Sequence, residues 1–150
     1  VRTIGTSSSA SKLDAVADLG ADHTLQGTDP DALRAAVTDI GTPDAVVNHL
    51  GGDYTGLGLD VMRRGGRMVV CGRTAGPTSE VDIADLFRGH KRVIGSTMGT
   101  QTDLERLVDL VAAGDLDPRV DRTFPLSETA AAFERMADRE TLGKLVVTTD

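Results

Sequence analysis

The 150-residue chain has few of the side chains from which many catalytic and recognition sites are built. It contains one cysteine, three histidines, one tyrosine, three phenylalanines and no tryptophan. A single cysteine excludes an internal disulfide framework, and the scattered histidines offer no metal-ligand spacing. Nucleic-acid binding is disfavoured because aromatic platforms are scarce and the formal net charge of −7 provides no basic face. We therefore expect no nucleic-acid partner and no metal site within these residues.

Long apolar runs and phosphate-binding signatures are also absent. No segment is long enough to span a bilayer, and the start of the chain has no signal-peptide pattern, so we expect a cytoplasmic protein without a membrane partner. Neither GxGxxG nor GxxxxGK[ST] occurs. A chain that bound a dinucleotide by itself would be expected to have such a glycine turn before a helix, where it holds the pyrophosphate.

What the chain does have is a strand–helix–strand pattern over residues 43–76. The predicted elements are a strand at 45–50, a helix at 53–64 and a second strand at 67–71. Two apolar strands joined by about a dozen helical residues predict a parallel sheet with helices on both faces. Ligands of such sheets bind beyond the carboxyl ends of the strands, which here are residues 48–52 and 71–76.

The rest of the chain continues the alternation. Further strands are predicted at 1–6, 23–26, 91–97 and 143–148, an extended stretch at 118–126, and helices at 11–19, 30–40 and 82–90. Thr102 and Glu105 match a capping box for another helix that ends at Gly114, and Ser127 is predicted to cap the last helix. This alternation is typical of a doubly wound α/β sheet in one domain.

A serine-rich turn after the first strand is one candidate binding site. Ser7 and Ser8 are followed by Lys12. In a dinucleotide-binding fold this strand end faces the adenosine ribose, where hydroxyls and a cation suit the 2′-phosphate of NADP and an acid would suit NAD. The alternative is that the serines only cap and connect the following helix.

The other candidates follow later strands. Small residues at 48–52, 71–76 and 96–99 suit the flanks of a planar nicotinamide, or are turns that need glycine for a positive φ. His49 at such an edge is more often structural than catalytic. Cys71 is predicted to be a buried core residue. Lys144 either reaches a phosphate or is a solvated lysine at a strand start.

Five segments, in their order and spacing, resemble the medium-chain dehydrogenase/reductase superfamily, in particular its zinc-binding alcohol dehydrogenase and quinone oxidoreductase group. They are VVNHLGG, GGRMVVCGRTAG, KRVIGSTMGT, VDRTFPLSETAAAFERM and GKLVVTT. The resemblance implies a Rossmann-like doubly wound parallel sheet that lacks its first strand and glycine-rich turn. Residues 1–150 would be the C-terminal part of the cofactor-binding domain. Residues 118–150 would be the tail that returns to a GroES-like catalytic domain, which carries the family's zinc ligands and is absent here.

The resemblance also implies cofactor contacts at numbered positions. Ser7, Ser8 and Lys12 would flank the adenosine ribose or its phosphate; Asn48, His49 and Gly51 would line the groove; Gly72, Arg73, Thr74, Ser96, Thr97 and Met98 would lie near the nicotinamide; and Lys144 would approach the pyrophosphate. Asn48 departs from the family, which often has an acid there. No catalytic residue and no metal ligand is predicted.

The missing first strand would lie at the centre of a Rossmann sheet. The strands at 1–6 and 45–50 would then flank a gap of about 9 to 10 Å, lined by unpaired backbone groups. We expect either that the strands close up, that another segment fills the gap, or that the chain is a fragment of a longer protein, which is the interpretation we favour.

The resulting functional hypothesis is the nucleotide-binding portion of an NAD(P)H-dependent oxidoreductase that transfers a hydride to or from a carbonyl, alcohol or enone. NADP is the expected cofactor, NAD is possible, and the isolated chain is expected to have little turnover. One alternative is a non-catalytic nucleotide-binding or dimerisation module that forms a homodimer through the edge strand at 91–97. A weaker alternative, suggested by LDVMRRGGRMVV, is an S-adenosylmethionine-dependent methyltransferase.

Overall fold

A computed structural model of the chain describes residues 1–139 and 141–149. The elements are β1 (Ile4–Ser7), α1 (Ala10–Asp18), β2 (His23–Gln26), α2 (Pro30–Ile40), β3 (Ala45–Asn48), α3 (Asp53–Val61), β4 (Arg67–Val70), α4 (Ile83–Arg88), β5 (Arg92–Gly95), α5 (Gln101–Ala112), β6 (Val120–Pro125), a 3₁₀ helix (Leu126–Glu128), α6 (Thr129–Ala137) and β7 (Lys144–Thr148). They form two compact units, Val1–Thr97 and Met98–Asp150, which we call the first and second units.

The first unit contains two parallel sheets. One has the order β1-β2 and the other the order β3-β4-β5. In the second sheet Ala45 is in register with Arg67, and Arg67 with Arg92. The predicted βαβ unit is thus confirmed. The two predicted flanks of the missing strand, β1 and β3, belong to different sheets, as a Rossmann order without its first strand requires.

Helix α3 contributes to two separate apolar clusters in this unit. Leu57 and Val61 pack with two residues of α2, Leu33 and Val37, and partly buried side chains of β1 and β2 lie against this cluster. Leu59, on another side of the same helix, and Met62, which follows it, pack with Met68 of β4, which is fully buried. Helix α3 therefore connects the packing of one sheet to that of the other.

The β3-β4-β5 sheet carries a fully buried residue, Met68, on one face and exposed side chains on the other. Val47 and Ile94 are 74% and 44% exposed, and both point away from the face on which Met68 packs, since side chains alternate along a strand. The face turned toward α3 carries the cluster around Met68.

Side-chain caps mark the starts of α2, α4 and α5. The side chain of Asp29 accepts a hydrogen bond from the backbone N–H of Ala32, and Pro30 occupies the first turn of α2, both as predicted. Helix α3 ends at Val61, three residues earlier than predicted. The reason is that Met62 takes an extended backbone conformation, with φ −75° and ψ 137°, and the chain turns toward β4 there.

Two predicted caps are in the wrong place. The capping box of α5 is formed by Thr100 and Asp103, not by Thr102 and Glu105, because the helix begins two residues earlier. The Asp103 carboxylate accepts hydrogen bonds from the backbone and hydroxyl of Thr100, and these bonds lower the pKa of Asp103. Ser127 does not cap α6, since it lies inside the preceding 3₁₀ helix.

In the second unit β6 and β7 pair in parallel, and Phe124 and Ala132 are buried. The Asp121 carboxylate accepts hydrogen bonds from Arg135 Nε at 2.7 Å and from the Leu142 backbone N–H at 3.1 Å. These two bonds lower the pKa of Asp121. Within residues 1–139 and 141–149, none of the helices combines the length and the apolar character needed to cross a membrane.

Candidate functional site

The carboxyl ends of β3 and β4 are joined by backbone hydrogen bonds between the loops that follow them. We call residues 49–52 the first loop and residues 71–76 the second loop. Ala75 N donates to Leu50 O at 2.7 Å, and Gly52 N donates to Gly76 O at 3.0 Å. Gly51 and Gly76 also form a parallel β-bridge. The predicted ligand edge of the sheet is therefore a closed backbone joint.

Glycine is required at this joint because the two backbones approach closely. A Cβ added at Gly72 would lie 2.0 Å from the His49 carbonyl oxygen, and one added at Gly51 would lie 2.7 Å from the Gly76 carbonyl oxygen. Gly51 and Gly52 also have φ values of +69° and +51°. These two glycines were predicted to be turn residues, and that prediction is confirmed.

The first loop is also held by the side chain of Asn48, the last residue of β3. Its Oδ1 accepts hydrogen bonds from the backbone N–H groups of Leu50 at 2.9 Å and Gly51 at 3.0 Å. Its Nδ2 donates to Thr55 Oγ1 at 3.1 Å. Asn48 is 5% exposed, so the structure turns its amide into the loop and α3.

A cavity of about 430 Å³ opens beside the joint. Its lining includes Gly51, Gly52, Thr55, Gly72, Arg73 and Gly76. Arg73 is an exposed cation among backbone groups and small side chains. This combination provides a positive charge and flat glycine surfaces at the place where open α/β sheets bind ligands.

A larger cleft of about 900 Å³ elsewhere in the first unit has a different electrostatic character. The charged residues that line it are Asp29, Asp31, Arg34, Asp53, Asp60, Glu80, Asp82 and Asp85. Seven carboxylates against one guanidinium would repel the phosphates of a nucleotide. The smaller cavity at the joint is therefore the better candidate for an anionic ligand.

The serine turn lies at the carboxyl end of β1. Ser7 Oγ accepts a hydrogen bond from Ser9 N at 3.2 Å, and Gln26 Nε2 donates to the Ser8 carbonyl at 3.4 Å. Ser9 occupies the N-cap position of α1 but forms no side-chain cap bond. The interpretation of the serines as a side-chain cap is therefore wrong, and Ser8 remains exposed at the surface.

The remaining predicted residues are distributed over both units. His49, Thr74, Ser96 and Thr97 are exposed in the first unit, whereas Met98 and Lys144 are exposed in the second. The structure brings together Asn48, Gly51, Gly72 and Arg73 at the joint. At all of these positions, those at the joint included, contact with the cofactor stays a prediction.

Cys71 and Thr55 show where sequence reasoning failed. Cys71 was predicted to be buried, but β4 ends at Val70 and the thiol is exposed. Thr55 was not singled out, yet it bonds to Asn48 and lines the cavity. Its position near the start of the helix that follows a strand-end asparagine is the sequence signal that links the two.

Replacement of Gly72 by alanine tests the joint directly. The new Cβ would overlap the His49 carbonyl, a backbone atom that cannot rotate away, so we expect the free energy of unfolding to fall by about 1 to 3 kcal/mol. The measurement is urea unfolding followed by circular dichroism.

The matched control is Gly95→Ala on β5, where an added Cβ would meet nothing within 4 Å. We expect this control to change the free energy of unfolding by less than about 0.5 kcal/mol. Equal stabilities of the two variants would show that the loops are not in the close contact described here.

No group of three or more His, Cys, Asp or Glu side chains in the described part of the chain is placed to hold a metal ion. The residues present therefore do not fit a zinc site, and no chemical step is assigned to zinc here.

Several known proteins are similar to the chain in sequence. The chain is 28% identical to 2-haloacrylate reductase of a Burkholderia species, over 96% of this chain and 47% of the relative. It is 29% identical to an alcohol dehydrogenase of Geobacillus stearothermophilus, over 87% of this chain and 38% of the relative. The chain thus spans less than half the length of these curated relatives.

Solved structures agree with the sequence matches. An NAD-dependent alcohol dehydrogenase superposes with a TM-score of 0.80 at 29% identity, covering 99% of this chain and 44% of that one. A 2-octenoyl-CoA carboxylase reductase in complex with NADP and 2-octenoyl-CoA superposes with a TM-score of 0.86 at 28% identity, covering 96% of this chain and 37% of that one.

The predicted Rossmann-like α/β fold is confirmed by these neighbours. Residues 19–147 match the family model described as zinc-binding dehydrogenase. The chain belongs to the zinc-binding dehydrogenase family, within the medium-chain dehydrogenase/reductase superfamily.

Proposed function

We propose that this chain is the nucleotide-binding portion of an oxidoreductase that moves a hydride between a nicotinamide dinucleotide and a carbonyl, alcohol or enone. The observation that carries the proposal is the closed joint of Gly51, Gly52 and Gly76 beside a cavity that contains Arg73. Its place at the carboxyl ends of parallel strands is where this sheet type binds dinucleotides. Family membership supports the same conclusion.

The chain's own residues would bind and orient the cofactor. Backbone groups of the two loops offer donors and acceptors to the carboxamide of a nicotinamide, and Arg73 offers a positive charge to a phosphate. The bound dinucleotide would supply the hydride, while the protein positions it and limits access of water.

NADP is proposed as the preferred cofactor. Ser7 ends β1, Ser8 follows it, and Lys12 lies in the first turn of α1. Hydroxyl groups and an ammonium suit a 2′-phosphate, and the turn between β1 and α1 contains no carboxylate that would repel it. The NADP complex of the related 2-octenoyl-CoA carboxylase reductase supports this choice.

The cofactor preference is tested by fluorescence titration of the protein with NADPH and NADH. We expect NADPH to bind more tightly, and Lys12→Glu to lower the ratio of NADPH to NADH affinity by about 10-fold, because a charged hydrogen bond contributes about 1.5 to 3 kcal/mol.

The control for this experiment is Arg106→Glu, which makes the same charge change on exposed helix α5 and should leave the ratio unaltered. An affinity ratio that Lys12→Glu leaves unchanged would remove the assignment of Lys12 to the 2′-phosphate. If the unaltered protein binds neither NADPH nor NADH, the proposed function itself is rejected.

A homodimer through the edge strand is the second proposal, favoured by the exposure of β5. All four residues of this strand are exposed, and β5 is the outer strand of its sheet. Arg92 N and Ser96 N bond inward to carbonyls at the two ends of β4. Because backbone direction alternates along a strand, the N–H of Val93 faces outward and is available to a second copy.

Replacement of Val93 by proline tests this dimer, since it removes an outward donor and leaves the inner hydrogen bonds of β5 in place. We expect the unaltered protein to sediment as a dimer and Val93→Pro as a monomer in analytical ultracentrifugation. The control Val93→Thr keeps the N–H and should remain dimeric. A monomeric unaltered protein at tens of micromolar concentration would contradict the proposal.

A further inference from the structure

The side chain of Asn48 is unusual for its environment. Within residues 1–139 and 141–149 it is the only buried polar or charged residue, and its oxygen and nitrogen both have hydrogen-bond partners. A buried amide is retained at little cost only when its hydrogen bonds are satisfied. Here every one of these partners belongs to the first loop or the start of α3, so the side chain serves the loop that follows its own strand.

Asn48 is not part of the lining of the cavity, but two of its three hydrogen-bond partners are. Gly51 and Thr55, which bond to its Oδ1 and Nδ2, both line the cavity. Leu50, which bonds to the same Oδ1, offers its carbonyl to Ala75 in the second loop. One side chain therefore holds two residues of the cavity wall and a third residue that bonds to the second loop.

We propose that Asn48 is a positioning residue, whose buried amide oxygen fixes the first loop so that the cavity is preformed for the nicotinamide half of the dinucleotide. This inference rests on the proposed function and assigns Asn48 an indirect role, in place of the direct cofactor contact implied by the family resemblance. The acceptor oxygen is the essential group, because without it two backbone N–H groups lose their partner in a buried loop.

Two variants of nearly equal size separate the acceptor from the shape of the side chain. Asn48→Asp keeps the acceptor for Leu50 and Gly51, and its second oxygen can accept from Thr55, whose hydroxyl rotates to donate. Asn48→Leu fills a similar volume but removes all three hydrogen bonds. Asn48→Asp should therefore behave like the unaltered protein, and Asn48→Leu should not.

The first measurement is binding of two probes to the protein and both variants. NADPH reports on the whole dinucleotide, and adenosine 2′,5′-bisphosphate reports on the adenosine half alone. We expect Asn48→Leu to weaken NADPH binding by about 10-fold, because the loss of about one hydrogen bond corresponds to a tenfold change in affinity. The affinity for the bisphosphate should stay within about 2-fold of that of the unaltered protein. Asn48→Asp should restore NADPH binding.

The second measurement, amide hydrogen exchange by NMR, needs no ligand. The amides of Leu50 and Gly51 should exchange about 10-fold to 100-fold faster in Asn48→Leu than in the unaltered protein, while that of Val69 in β4 should change little. Asn48→Asp should keep both loop amides protected.

Each other outcome overturns the inference. If Asn48→Leu leaves the amide exchange rates of Leu50 and Gly51 unchanged, Asn48 does not hold the loop. If Asn48→Leu weakens the binding of both probes equally, its effect is a general destabilisation. If Asn48→Asp weakens NADPH binding and speeds exchange as much as Asn48→Leu does, the acceptor oxygen is not the essential group.

If Asn48→Leu does not fold, Asn48→Ser replaces it, because the serine side chain is too short to reach both N–H groups. An unaltered protein that binds neither probe would reject the proposed function, and the exchange data would still decide whether Asn48 holds the loop.

Discussion

The candidate site depends on direct backbone contact between the two loops that follow β3 and β4. Leu50 and Ala75, and Gly52 and Gly76, are hydrogen-bonded across this joint, and the space at Gly51 and Gly72 admits no Cβ. Backbone groups that bond to each other in this way have fixed directions. The cavity beside them therefore has a defined wall, whereas two independent loops would have to be ordered by the ligand at an entropic cost.

Packing beneath the joint holds it in place. Helix α3 starts directly after the first loop and places Leu57 and Leu59 in different apolar clusters, one shared with α2 and the other with β4. Gly58 of the same helix allows this approach, since a Cβ there would lie 2.9 Å from Met68 Sδ. The Lys91 ammonium donates to the Leu59 carbonyl at 2.6 Å and to Asp85 at 2.7 Å, which ties the end of α3 to β5 and α4. The two sheets of the first unit are thus connected through helices, with no shared strand pairing between β1 and β3.

The sequence predicted the elements of the fold because their signals are local. The Asp29-Pro30 start of α2 and the glycine that ends α5 both appear where expected. The capping box of α5 was misplaced because Thr100 and Thr102 both precede a carboxylate by three residues, and only the contacts of Asp103 decide between them. Cys71 was misjudged because an apolar run of sequence does not reveal where the strand ends.

The site was only partly predictable, for a related reason. The predicted strand ends indicated which edge of the sheet would carry the loops, and Gly51, Gly72 and Arg73 were named from the family resemblance. The hydrogen bonds that join the two loops connect residues more than twenty positions apart. Because these bonds are made by backbone atoms, the sequence does not show which residues are paired. Asn48 was expected to face the cofactor, whereas its amide is turned toward Gly51 and Thr55, which could not be known without the fold.

The most direct test of the central claim is NMR mapping of backbone amides during titration with NADPH. If the joint is the dinucleotide site, the largest changes in amide chemical shift should fall on Gly51, Gly52, Gly72, Arg73 and Gly76. Changes centred on the acidic cleft around Asp31, Asp60 and Asp82, or no saturable changes at all, would contradict it.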